Sequence, residues 1–298
     1  MPFATTPLTD ATIAAAARAW DLPLDGTPVR LYGGEDSAAY RVGDVVLRIG
    51  PAERGSAEIE WCHGIAAHAA ARLAEPIVPL PVRTPSGATV ARVDGRPVSL
   101  WPHVDGEWLD ADDTGQRRAA ARLLARLHRA LAAAEPPPRP CPSLMDPGLY
   151  EPFPATDDPL ADPVLDAWLA DRAGHPRHPL HGDWYRGNLL VADGGRIAAV
   201  LDWDEAWTGP PEFEVAAAAR EYGSHWDTDL TAARRFVDDY LDAGGTAPPL
   251  SDDELAQLIR HRLRCEVAAA ERYGHVPDAD DIAYHRRQVD LFTRLRPA

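Results

Sequence analysis

Cysteine is scarce in this chain. Its 298 residues include only Cys62, Cys141 and Cys265, which are far apart and form no CxxC pair. This excludes a disulfide framework and a zinc knuckle, and free thiols suit a reducing compartment, so a cytoplasmic location is expected. No apolar run approaches the roughly 18 residues of a membrane-spanning helix. The opening MPFATTPLTD lacks the basic and apolar regions of a secretory leader. No membrane partner is expected. Basic residues are outnumbered, 30 against 46 acidic, for a formal net charge of −16. A surface of that sign repels a phosphate backbone, so nucleic acid is not an expected partner either.

The chain is long for a single core and suits two lobes sharing a cleft. A short helix over 10–20, capped by Asp10 or Thr12, opens the pattern. Segments 29–31, 39–42 and 45–49 predict three antiparallel strands separated by Gly-Gly and Gly-Asp turns. A helix from about 56 to 73, begun near Gly55, ends at Pro76, Pro79 and Pro81. Strands are then expected at 82–84, 88–93 and 97–101. Residues 1–104 therefore read as an α+β lobe, a small antiparallel sheet carrying one helix. Residues 105–298 read as a larger, mainly helical lobe with helices near 112–134, 164–173, 213–222, 228–243, 252–272 and 278–295. Within it, 189–192 and 197–201 predict a hairpin around Asp193-Gly194-Gly195. The proline-rich stretch 135–163 cannot be one helix, and there is no internal repeat.

The chemistry concentrates in His181-Gly182-Asp183-Trp184-Tyr185-Arg186-Gly187-Asn188 and, after the hairpin, Leu201-Asp202-Trp203-Asp204. Asp183 and Asn188 are five apart on a turn, and the hairpin folds Asp202 back toward Asn188. Three oxygen-bearing side chains converge, as a hard cation such as Mg²⁺ requires. Phosphoryl transfer needs a metal to bridge phosphate oxygens and a carboxylate to receive the proton of the attacking hydroxyl. That pattern assigns Asp183 as catalytic base, with Asn188 and Asp202 as metal ligands.

These residues match the pattern HGDxxxxN followed by a hydrophobic run and an aspartate before Trp or Phe. The segment resembles the catalytic loop of the aminoglycoside phosphotransferase family, the choline/homoserine-kinase-like group of the protein-kinase-like fold. The resemblance extends over nearly the whole chain and implies ATP or GTP as co-substrate. The segment from Leu31 to Val42 is similar to the family's nucleotide-binding loop, which implies that Gly33, Gly34 and Ser37 lie by the phosphates. The strand at 45–49 resembles the one that normally presents a lysine to the phosphates, but Arg48 stands here, and its fork has a different reach. Its helix partner is expected to be Glu60, with Glu58 and Glu53 also in range. Residues 100–106 resemble the interlobe hinge, placing the Pro102 carbonyl and the Val104 N–H against the base.

Other features carry less. His175, His178, His181 and Asp183 could be read as a metal cluster, but Pro176 and Pro179 prevent alignment of the rings. Tyr185 and Arg186 either touch the phosphate or substrate, or face solvent. Trp184 is expected to border the acceptor pocket. Asp204 is expected to be structural, and the acids Glu221, Asp227, Asp229, Asp238, Asp239 and Asp242 read as a solvated face. The expected function is transfer of a γ-phosphate to a hydroxyl of a small molecule. An antibiotic, in resistance or self-protection, is the preferred acceptor. The alternatives are homoserine, choline or a sugar in metabolism, or a nucleotide-binding pseudokinase regulator. The oligomeric state, monomer or homodimer, stays open.

Overall fold

The structure, a computed structural model, describes residues 6–31, 37–73, 75, 77–154, 159–223, 225–272 and 278–297. Its first lobe is a five-stranded antiparallel sheet ordered β1-β2-β3-β5-β4. The strands are β1 (Val29–Leu31), β2 (Ala38–Val42), β3 (Val45–Ile49), β4 (Ala91–Val93) and β5 (Arg96–Pro102). The β4–β5 turn is Asp94-Gly95, both at positive φ (51° and 77°), the left-handed pair that suits a two-residue hairpin. Helix α1 (Asp10–Trp20) is capped by Thr9, whose hydroxyl accepts the Thr12 N–H. Neither Asp10 nor Thr12 is the cap; Asp10 lies in the first turn, where its charge suits the helix dipole.

Two strand expectations are corrected. Residues 82–84 form no strand: Val82 N–H reaches the Leu100 carbonyl, and Thr84 N–H closes a turn onto Ala88. Pro81 and Pro85 on either side leave too few donors for a ladder. The strand expected at 88–93 pairs only over Ala91–Val93.

Helix α2 (Ser56–Arg72) follows the sheet's third strand in sequence and begins after Gly55, as expected. Its apolar face, Trp61, Cys62, Ile65, Ala66 and Ala69, belongs to the large core of the second lobe. The smaller core lies between the sheet and α1 and includes Ala16, Trp20, Leu47, Val98 and Leu100.

The second lobe contains helices α3 (Thr114–Leu131), α4 (Pro163–Arg172), α5 (Pro211–Tyr222), α6 (Thr231–Asp242), α7 (Asp252–Arg272) and α8 (Ala279–Arg294). The expected hairpin forms as β8 (Leu189–Ala192) and β9 (Arg196–Val200), with β6 (Glu107–Trp108) added at its edge. A second small ribbon pairs β7 (His178–Leu180) with β10 (Trp207–Gly209). These short strands gave no periodic signal and exist only through pairing. The two ribbons flank the segment 181–188 and hold it from both sides. Among the described residues no helix is long and apolar enough to cross a membrane, and all three cysteines are free.

Candidate active site

The turn begins at Gly182, which sits at φ 87°; a Cβ there would lie 1.9 Å from the Glu205 carbonyl oxygen. Only glycine fits that conformation and that contact. His181 orients the turn: its Nε2–H donates to the Leu201 carbonyl at 2.8 Å, and its Nδ1 accepts the Asp183 N–H at 3.2 Å. The ring is fully buried, and burial keeps its pKa low, in keeping with the neutral tautomer those bonds require. A second anchor is Glu214 on α5. Its carboxylate accepts the backbone N–H groups of His181 (3.2 Å) and Gly182 (2.5 Å) and is paired with His128 Nε2 at 2.7 Å. Burial opposes its charge, yet His128 and these donors hold it below the usual carboxylate range. Sequence reasoning missed Glu214. Its signal is faint: an acid in the first turn of a helix, in a segment otherwise apolar.

The Asp183 side chain is 34% exposed, and both of its oxygens are engaged. Asn188 Nδ2 donates to Oδ2 at 3.0 Å and to the Asp183 carbonyl at 2.9 Å. Arg262 Nη2, from α7, donates to Oδ1 at 3.2 Å. Burial pushes the carboxyl up to about 7 against the pull of Arg262, and Asp202, Glu205 and Glu221 add to the rise.

The hairpin brings the backbone at the two expected metal ligands together. Leu201 N–H donates to the Asn188 carbonyl at 2.8 Å, and Leu189 faces Val200 in register. Asp202 follows at φ 54°, a left-handed conformation that a short acidic side chain tolerates. Its Oδ1 accepts Arg48 Nη2 at 3.0 Å, and the same nitrogen reaches Asp204 Oδ2 at 3.1 Å. Asn188 commits its amide nitrogen to Asp183, which leaves its Oδ1 as the atom that would serve a cation. The expected donor set, one amide oxygen and one carboxylate, is oxygen-only, the donor chemistry that suits Mg²⁺.

Arg48 projects from β3 toward this group. Burial opposes its charge, but Asp202 and Asp204 outweigh that and hold the guanidinium above its usual range. The expected pairing with Glu60 is corrected: Glu60 accepts the Thr89 N–H at 3.2 Å, and the ion-pair partners of Arg48 among the described residues are Asp202 and Asp204. Glu58 is engaged by Arg54 and Arg139 instead. Every one of the chain's 30 basic residues is arginine. The arginine at this strand position follows that usage.

Ser37 is buried and lines a small space with Arg48, Gly50 and Asp204. Gly33 and Gly34 lie outside the described residues. Pro102 ends β5 opposite Val45, and His103 N–H bonds the Asp44 carbonyl, which leaves Val104 in the connection between lobes. Trp184, expected at the acceptor pocket, is 3% exposed and packs edge-on against His181, so it offers little surface to an acceptor. Asp204 is structural as expected, gripped by Arg48 and Arg54. His175 and His178 go to Glu212 and Thr246 respectively. Among the described residues no three His, Cys, Asp or Glu side chains are grouped to hold a metal.

This geometry has known counterparts. Homoserine kinase of Pseudomonas aeruginosa (strain LESB58) is 29% identical over 165 residues, covering 53% of this chain and 52% of that protein. The chain thus spans about half the length of the first curated relatives it matches. A microcompartment-associated aminopropanol kinase superposes with TM-score 0.71 at 18% identity, covering 95% of each chain. An aminoglycoside phosphotransferase in ternary complex with AMP-PNP and hygromycin B superposes with TM-score 0.60 at 19% identity, covering 96% of this chain and 98% of that one. These superpositions carry the protein-kinase-like fold. The model of the phosphotransferase enzyme family (APH) matches residues 27–255, a span that holds the sheet, the His181–Asn188 turn and Asp202. That match spans well over half of the chain, and the chain belongs to the phosphotransferase enzyme family.

Proposed function

We propose that the chain transfers the γ-phosphate of ATP or GTP to a hydroxyl of a small molecule. The observation that carries this reading is Asp183, whose carboxylate is fixed by Asn188 and Arg262 yet remains a third exposed beside Asp202. Asp183 would accept the hydroxyl proton, and its raised affinity for protons suits that role. Asn188 and Asp202 would hold Mg²⁺, which when bound offsets charge on the phosphate oxygens. Arg48 would exchange Asp202 and Asp204 for phosphate oxygens, a swap its fork geometry allows. Ser37, Gly33 and Gly34 would face the phosphates, with Pro102 and Val104 against the base. The intact base argues against a nucleotide-binding regulator without turnover.

The test is Asp183→Asn. Transfer should fall on the order of a hundredfold to ten-thousandfold while nucleotide binding persists. Full turnover in that variant would remove the base assignment.

Two acceptor readings remain, each with its own support. The homoserine kinase relatives favour a metabolic amino alcohol. The carboxylates around Arg262 add to that, because Glu221 and Glu266 are each paired with arginine and offer little net charge to a polycation. The aminoglycoside phosphotransferase neighbour favours an antibiotic. A panel of amino alcohols and antibiotics assayed by nucleoside diphosphate release separates them, with growth of an antibiotic-sensitive host expressing the chain as the second measurement.

A further inference from the structure

Phosphoryl transfer in this fold has no obvious need for a buried arginine touching the base. A cation there weakens the carboxylate as a proton acceptor, and burying it carries a desolvation penalty. Arg262 is nevertheless held against Asp183 with its side chain only 11% exposed. Its Nη1 donates to the Gly182 carbonyl at 3.0 Å and its Nη2 to Asp183 Oδ1 at 3.2 Å. One planar group thus grips both the backbone and the side chain of the turn. Asn188 holds the other carboxylate oxygen, so the Asp183 carboxylate cannot rotate about its bond to Cβ without breaking a hydrogen bond.

Arg262 is itself braced. Its Nε donates to Glu266 Oε1 at 2.5 Å, four residues along α7. Glu266 also accepts Arg220 Nη1 at 3.3 Å, from α5, and Gln288 Nε2 at 2.5 Å, from α8. Arg220, 4% exposed, is paired in turn with Glu221 at 2.5 Å. Three helices therefore converge on the Glu266 carboxylate that braces the guanidinium against Asp183.

We propose that Arg262 is a positioning residue for phosphoryl transfer, orienting the Asp183 carboxylate toward the incoming hydroxyl, with Glu266 and Arg220 fixing the guanidinium. The inference rests on Asp183 being the base. A merely structural ion pair would hold α7 against the turn without affecting the chemical step. The two roles separate in kinetics. Misplacement of a reacting group by about 1 Å lowers turnover on the order of a hundredfold, whereas loss of a structural tie lowers the melting temperature and leaves kcat at low temperature intact.

The experiment uses the full chain, Mg²⁺ and ATP or GTP, with water as the only acceptor, so no acceptor need be identified. Arg262→Gln should lower kcat of nucleotide hydrolysis on the order of tenfold to a hundredfold and leave the nucleotide KM unchanged. Arg262→Lys, which keeps the charge but cannot hold carbonyl and carboxylate together, should fall between. Glu266→Gln should lower kcat less than Arg262→Gln. Methylguanidinium added to Arg262→Ala should restore part of the lost kcat, a rescue that a structural tie would not give. Where the alanine variant fails to fold, the glutamine and lysine variants decide. Unchanged kcat in Arg262→Gln with Asp183→Asn inactive would overturn the positioning role alone. Unchanged kcat in Asp183→Asn would remove the base assignment and this inference with it.

Discussion

Arg48 Nη2 and Asp202 Oδ1 meet at 3.0 Å, one from the sheet lobe and the other from the helical lobe. The bond ties the proposed phosphate contact to the proposed metal ligand, and Asp204 shares the same nitrogen.

In the proposed function, phosphate would replace that pairing, so Arg48 would contribute to affinity by what it exchanges. A hydrogen bond to a charged group contributes about 2 kcal/mol, so Arg48→Met should raise the nucleotide KM about thirtyfold. Glu60→Gln should leave that KM unchanged, because Glu60 serves the Thr89 backbone. Steady-state kinetics at saturating Mg²⁺ checks both; equal effects from the two variants would restore Glu60 as a partner of Arg48.

Gly182 is under two constraints at once, φ 87° and a backbone oxygen 1.9 Å from where a Cβ would stand. Gly182→Ala should destabilise the protein by about 3 kcal/mol or more, since neither the strain nor the clash can relax through a flexible side chain. Chemical denaturation measures it. A midpoint equal to that of the parent would mean that the turn shifts freely.

Glu214 receives two backbone N–H groups and His128. In Glu214→Gln one of those donors would face an NH₂ group and lose its acceptor. The expected loss is about 1–3 kcal/mol of stability, together with a lower kcat, because the freed N–H groups belong to His181 and Gly182. Parent-like kcat would show that the turn does not depend on this carboxylate.

Acid should destabilise the fold before it protonates most carboxylates. His63, His178 and His261 are buried, and burial lowers their pKa values to about 4, about 4 and about 3. An unfolded chain takes up protons at these rings near pH 6.5, whereas the folded chain does so only near pH 3–4, so stability falls as pH drops through that window. At pH 5 each ring should cost about 2 kcal/mol relative to pH 7.5. Thermal melts between pH 7.5 and 4.5 follow the loss; a flat profile across pH 6.5–5 would mean that the rings are hydrated. Replacing His178 with Gln should flatten its share of the slope.

Sequence reasoning read the ends of this site better than its middle. Gly182, Asp183, Asn188 and Asp202 lie on one turn and one hairpin, so short-range spacing was enough to bring the expected metal ligands together. The helices were legible within a few residues because their apolar stripes are long. Arg262, Glu214 and Glu266 were not legible, since each reaches a partner 22 to 79 residues away in the chain, chosen by helix packing. The Glu60 pairing failed for the same reason. The rotation of α2 about its axis, which decides which acid faces the cleft, follows from the seating of Trp61 and Cys62 in the large core. The strand expected at 82–84 failed on proline chemistry visible in the sequence itself.

The seating of α2 has a mechanical corollary. With Trp61 Nε1 bonded to the Pro137 carbonyl at 2.7 Å and the apolar face of α2 sunk among residues of the helical lobe, that helix behaves as a post fixed to the base of the molecule. On the proposed reading, a phosphate that takes Arg48 from Asp202 and Asp204 would loosen β3 from that base without unseating the column.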